Sequence, residues 1–253
     1  MMIDPTYMIT EPATDHPYRT AAAPRAVDPD AARVPYDGQP RMRLAIASGL
    51  ADARIVIDPA ARDLLAIVGG DHPRPRIHLA DGELALRWRR SLGDWLREVL
   101  TPGTGDLAII LHPAVEWTLA IRGGLSGVEL ELAAGAVARI EIGGGCSHVM
   151  LDLPRPAAVA PIRIAGGASH LGIRRPAEIG VGLGVAGGIA RLRLDDQSLE
   201  AVGGAAQLAS GDVSPGAPQY AVAIAGGVSD LVVARRAHDP GLAPAFDVRP
   251  PLL

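Results

Sequence analysis

The chain has 253 residues, 48% hydrophobic and 21% charged, which suits a folded body with a sizeable core and is too apolar for a disordered one. Rings make up only 3%, with a single Phe, against 30 Gly and 22 Pro, so the core must be layered from Ile, Leu, Val and Ala. A net charge of −4 and so few rings argue against a general nucleic-acid binder, and the lone Cys146 excludes an internal disulfide or a multi-cysteine metal site.

Residues 1–40 carry Pro5, Pro12, Pro17, Pro24, Pro29, Pro35 and Pro40 with no period of 2 or 3.6, which predicts an extended arm. Ile3, Tyr7, Met8, Ile9, Tyr18, Val34 and Tyr36 give that arm apolar anchors, so it is expected to dock along its own body or on a partner. Asp4, Glu11 and Asp15 break the first twenty residues, which do not read as a signal peptide. The most apolar run elsewhere, Leu107 to Val115, is broken by His112 and Pro113 and falls short of the roughly 20 residues a spanning helix needs. The expectation is a cytoplasmic protein with no membrane span.

Residues 41–236 form the expected body, and they repeat. The phrases IASGLADARIVI, IRGGLSGVELEL, IGGGCSHVMLDL, IAGGASHLGIRR, VAGGIARLRLDD and IAGGVSDLVVAR share one pattern around Gly49, Gly124, Gly145, Gly167, Gly188 and Gly227. From Gly124 on, these glycines stand 21, 22, 21 and 39 residues apart. Counted from them, position −3 is Ile46, Ile121, Ile142, Ile164, Val185 and Ile224, and position −5 is equally aliphatic. Position +1 holds Leu50, Leu125, Cys146, Ala168, Ile189 and Val228, and apolar columns recur at +4 and +6. Spacing of 2 on both sides of a Gly-Gly corner is strand alternation with one face buried. A unit this short buries its apolar face only by stacking on copies of itself. The predicted fold is therefore all-β, a single-stranded β-solenoid of 21–22-residue coils. Two meandering antiparallel sheets would not hold one column register across six copies.

Residues 51–116 read as a degraded version, with strands at Leu84–Leu86 and Leu107–Leu111. Leu92, Trp95, Leu96, Val99 and Leu100 follow helical spacing, predicting one short amphipathic helix over 91–100. Trp88, Trp95 and Trp117, with Arg87, Arg89 and Arg90, concentrate the rings and charge, and read as an end cap or as anchors for a partner. Residues 195–219 read as an irregular inserted loop, and 237–253, with Pro240, Pro244, Pro250 and Pro251, as a flexible tail.

The stretch Gly144 to Pro176, GGxSxxxxxLPxP followed by PIRIxGGxSxxxIxRP, resembles a family common in actinobacteria. That family is similar to the β-helix domains of bacterial adhesins and, more distantly, to the bactofilin filament proteins. The resemblance spans roughly residues 41–236 and implies a β-solenoid; it carries no activity or catalytic motif to transfer.

His148 and His170, both at +3, are expected to stack on one face, with Asp230 further along the same column and Arg191 between. A polar stripe on a solvated face accounts for them; a shared metal is the sharper alternative. Asp152, Arg174 and Asp195 at +7 read as a cross-strand charge ladder rather than a carboxylate active site. Cys146, in an aliphatic column, reads as a small hydrophobe. Neither GxGxxG opening a helix, nor GxxxxGKS, nor GxSxG occurs, so no cofactor or catalytic residue is assigned. The function expected is a non-enzymatic scaffold or subunit that binds a protein partner or copies of itself, with Trp88, Trp95, Trp117, Tyr7, Tyr18 and Tyr36 as contact candidates. The alternative is a carbohydrate-active enzyme or carbohydrate-binding module on a β-helix.

Overall fold

A computed structural model describes residues 25–26, 33–69, 74–88 and 107–236. Among them the secondary structure is all β. Two short strands come first, β1 (Arg25–Ala26) and β2 (Arg33–Pro35). β3 (Arg41–Ile46) and β4 (Leu50–Ile57) flank the first corner, and β5 (Asp63–Val68), β6 (Arg76–Ala80), β7 (Glu83–Arg87) and β8 (Leu107–Leu111) follow. Three strand pairs then straddle Gly-Gly corners: β9 (Glu116–Ile121) with β10 (Leu125–Glu131), β11 (Ala136–Ile142) with β12 (Cys146–Asp152), and β13 (Val159–Ile164) with β14 (Ala168–Arg175). The last group is β15 (Gly180–Val185), β16 (Leu192–Leu194), β17 (Gln197–Leu199), β18 (Ala206–Ala209), β19 (Gln219–Ile224) and β20 (Leu231–Arg235). The helix expected over 91–100 and the tail 237–253 lie outside the described residues.

The strands form two ten-stranded mixed sheets. One runs β1-β6-β7-β3-β9-β11-β13-β19-β15-β18, the other β17-β16-β20-β14-β12-β10-β4-β8-β5-β2. Within each, the central strands are parallel and in register, so the sequence columns become ladders. Ile46 pairs with Leu86 and Ile121, Ile142 with Ile121 and Ile164, and Ile224 with Ile164 and Val185. On the second sheet Leu151 pairs with Leu130 and Ile173, which in turn pairs with Val233. Both inner faces contribute to a single buried cluster. Each interior aliphatic is worth about 1.5–3 kcal/mol by burial, which is how a core with so few rings holds together.

The rings that are buried share one column, at −7. Trp117 faces Met42 and Val137, while Tyr220 faces Ala160 and Val181, large beside small. The chain shifts register between Val137 and Arg139 beside the tryptophan.

Taking one strand from each sheet as a tier, the stacking order is β7–β8, β3–β4, β9–β10, β11–β12, β13–β14, β19–β20, β15–β16. The sequence suggested stacking in chain order, and at both ends the molecule departs from it. The chain lays down β3–β4, moves outward through β5 and β6 to β7–β8, then returns to build β9. At the other end β15–β16 is laid down first as the outer tier, and β19–β20 enters between it and β13–β14. The supposed loop 195–219 contains the short strands β17 and β18.

All four ends of the parallel arrays carry antiparallel strands. β6 pairs with β7 and β5 with β8 at one end; β18 pairs with β15 and β17 with β16 at the other. β1 and β2 add outside β6 and β5. Residues 33–40 thus belong to the body rather than to an arm. Val34 is buried, and Pro35 sits in an edge strand, where a missing N–H is tolerated.

Candidate functional site

The Gly-Gly corners stack backbone on backbone. A Cβ at Gly124 would lie 2.8 Å from the Gly145 carbonyl oxygen, and one at Gly145 2.9 Å from that of Gly167. No side chain fits, so the corner forms the floor of an open groove of about 820 Å³. The groove crosses five tiers. Leu125, Cys146, Ala168, Val228 and Ile189 line its base, Ser147, Ser169 and Ser229 stand beside them, and Ala201, Val202 and Gly203 close its end beyond Ile189. Ile189 and Val202 exchange two backbone hydrogen bonds of 2.8 Å, which hold this end of the groove in place. Cys146 is buried at the base, and burial pushes its thiol up to about 12, so it stays protonated and acts as a small hydrophobe.

Beside the serines runs a column in left-handed backbone conformation: Asp52, Gly127, His148 and His170, with φ of 46°, 62°, 52° and 51°. Asp, Gly and His are among the residue types that tolerate this region. The column bends the second-sheet strands between the groove residues and the longer ladder that follows. The His148 and His170 rings stack, as their spacing suggested, with centroids 4.5 Å apart and planes 5° apart. Ser147 Oγ lies 3.0 Å from His148 Nδ1. Asp230 Oδ2 lies 4.0 Å from His170 Nε2 and 3.6 Å from Arg191. The order expected for this column needs correcting: Asp230 is next to His170 and Arg191 lies beyond it, because β19–β20 is inserted. Among the described residues, no group of three or more His, Cys, Asp and Glu is arranged to hold a metal ion.

The charge ladder also needs correction. Asp152 does face Arg174, but the inserted tier puts Ala234 opposite Arg174, where Asp195 was expected. Asp152 is instead held by Arg236. Asp195 accepts from Arg175 at 2.5 Å and lies 3.5 Å from Arg235, which also donates to Asp212 at 2.9 Å. Arg175 is fully buried. It continues a column that is otherwise Leu111, Ile57, Leu132 and Leu153, and it also donates to the Pro176 carbonyl at 3.2 Å. Burial draws its guanidinium below the ordinary range, and the carboxylate of Asp195 opposes this. The doublets Arg174-Arg175 and Asp195-Asp196 at +7 and +8, with Arg235 at +8, were the signal for this cluster, and reading the +7 column alone missed it.

Three of the aromatic candidates, Trp88, Trp117 and Tyr36, lie among the described residues. Trp117 is fully buried and donates its indole N–H to the His112 carbonyl at 3.0 Å, so it is a core residue with no face for a partner. Tyr36 stacks on the His112 ring at 3.8 Å, and Tyr36 and Trp88 pack partly buried against the core. Trp95, Tyr7 and Tyr18 lie outside the described residues. Tyr220, which the sequence reading passed over, is fully buried and donates to the Pro154 carbonyl at 2.6 Å.

No family model matches the chain, and no curated protein does. Among solved structures, it is similar to the crystal structure of a "putative cell adhesion protein" from Clostridium sporogenes, at 14% identity and a TM-score of 0.50. The match covers 86% of this chain and 100% of that one. At that identity the likeness speaks to the fold alone.

Proposed function

We propose that this protein is a non-enzymatic scaffold whose tiers wind as a β-solenoid and whose corner groove holds an extended segment of a partner protein. The groove carries the reading. It crosses five tiers, and four spacings of about 4.8 Å give a length of about 19 Å, that of roughly six extended residues. Its base is apolar, and the serine row offers donors and acceptors beside it, which suits a peptide laid across the corner. In-register parallel pairing supports the solenoid winding. The clustered carboxylates Asp195 and Asp212 are engaged by Arg175 and Arg235, which favours a scaffold over a glycoside-cleaving pair. A structural neighbour described as a "putative cell adhesion protein" is in keeping with an interaction role.

The test is Ser169→Arg, which fills the groove from its wall. Proteins that copurify with the wild type from its host should be reduced at least tenfold, at an unchanged melting temperature. Equal recovery with wild type and variant would remove the groove from consideration.

A further inference from the structure

The parallel registers leave two stacking orders open. Ile162 and Leu183 both face Val222, and Ile164 and Val185 both face Ile224. On the other sheet, Leu171 and Leu192 both face Leu231, and Ile173 and Leu194 both face Val233. Lifting out β19–β20 and closing the gap would set Ile162 against Leu183 and Ile173 against Leu194, apolar on apolar. On these columns burial does not distinguish the observed order from chain order, with β15–β16 on β13–β14 and β19–β20 outermost, an order in which β18 and β17 would have to leave the edges of β15 and β16.

Charge counted along the columns alone does not favour the observed order either, although Asp195 bridges Arg175 and Arg235 within it. Chain order would alternate Asp152, Arg174 and Asp195 in one column and Arg175, Asp196 and Arg235 in the next. The observed order instead makes Arg175 and Arg235 direct neighbours.

Two contacts reach across. At the start of the inserted tier, the Tyr220 hydroxyl donates to the Pro154 carbonyl at 2.6 Å. At its end, Arg236 donates to Asp152 at 3.0 and 2.5 Å and to the Leu153 carbonyl at 2.7 Å. Both hold the same link, residues 152–154, which leaves the β11–β12 tier on the far side of β13–β14. In chain order β20 would stand three strand spacings from β12, about 14 Å, instead of two, about 10 Å, and both contacts would be lost.

We propose that Tyr220 and Arg236 form a clasp that fixes tier order, holding the last tier in an interior slot that the apolar columns leave equally open to β15–β16. The molecule is thus a two-order system whose balance the clasp sets.

Cysteine pairs in a Cys146→Ala background read the order directly. Arg163→Cys with Ala223→Cys joins register partners of the observed order on an outward face. Arg163→Cys with Gly184→Cys joins partners of chain order only, and the atoms nearest a side chain at Gly184 are those at the flexible end of Gln207. Adjacent strands about 4.8 Å apart lie within disulfide range, and strands about 9.6 Å apart do not. With the clasp intact, the first pair oxidises and the second does not. Adding Tyr220→Phe with Arg236→Gln should raise the cross-linked fraction of the second pair at least tenfold and lower that of the first. Arg236→Gln alone, which leaves the buried tyrosine in place, should shift it part of the way and serves if the double variant does not fold. Clasp variants that keep native circular dichroism and cross-link only the first pair, as the control Arg155→Gln should, would overturn the proposal.

Discussion

At Gly144 a methyl group has nowhere to go: its carbon would lie 2.6 Å from the Gly124 nitrogen and 2.8 Å from the Gly124 Cα. Backbone on that side cannot yield as a side chain would. Gly144→Ala should therefore cost about 1–3 kcal/mol in thermal unfolding, whereas Gly182→Ala, with nothing within 4 Å, should fall within about 0.5 kcal/mol of wild type. The ladders make a second prediction. Ile164→Asp buries a charge between Ile142 and Ile224 and should abolish soluble, cooperatively melting protein; normal yield and melting would contradict the register. A third concerns pH. Burial raises the pKa of both Cys146, from near 9 to about 12, and Tyr220. The native state then keeps protons that the unfolded chain releases, so this contribution is whole below about pH 9 and is lost as pH rises toward about 12. Cys146→Ala should flatten part of that alkaline slope in melts taken across the range.

The strands and their inward faces were legible because a period of 2 around a repeated corner leaves one solution for which side is buried. His148 above His170 followed from the same register. The order of the last two tiers was not legible. Every Gly-Gly phrase fits beside every other, so local pattern carries no information about neighbours. Contacts made by Tyr220 and Arg236, 66 and 84 residues from their partners, distinguish one order from the other. Trp117 was misread for a related reason. A tryptophan near an expected end resembles a surface anchor, and only the −7 column, not counted in the sequence, shows it as the large member of a buried ladder. The groove was visible in the sequence merely as missing side chains.

In the whole molecule, the antiparallel strands close what a stack of parallel tiers leaves open. Unpaired strand edges invite pairing with another chain, and here β5, β6, β17 and β18 lie over the end tiers, with β1 and β2 beyond two of them. Removing residues 1–40 takes away β1 and β2 and uncovers β6 and β5. The truncated protein should keep its β-type circular dichroism but sediment as larger species at raised concentration; the same sedimentation as the full chain would show that these strands protect nothing. The inserted tier has a mechanical consequence as well. The described body ends at Arg236, at the end of a tier gripped by a neighbour on each side. Tension applied through the C-terminal side does not peel the outermost tier away. It loads an interior slat against two ladders at once, in shear, and the first event under force is the rupture of both.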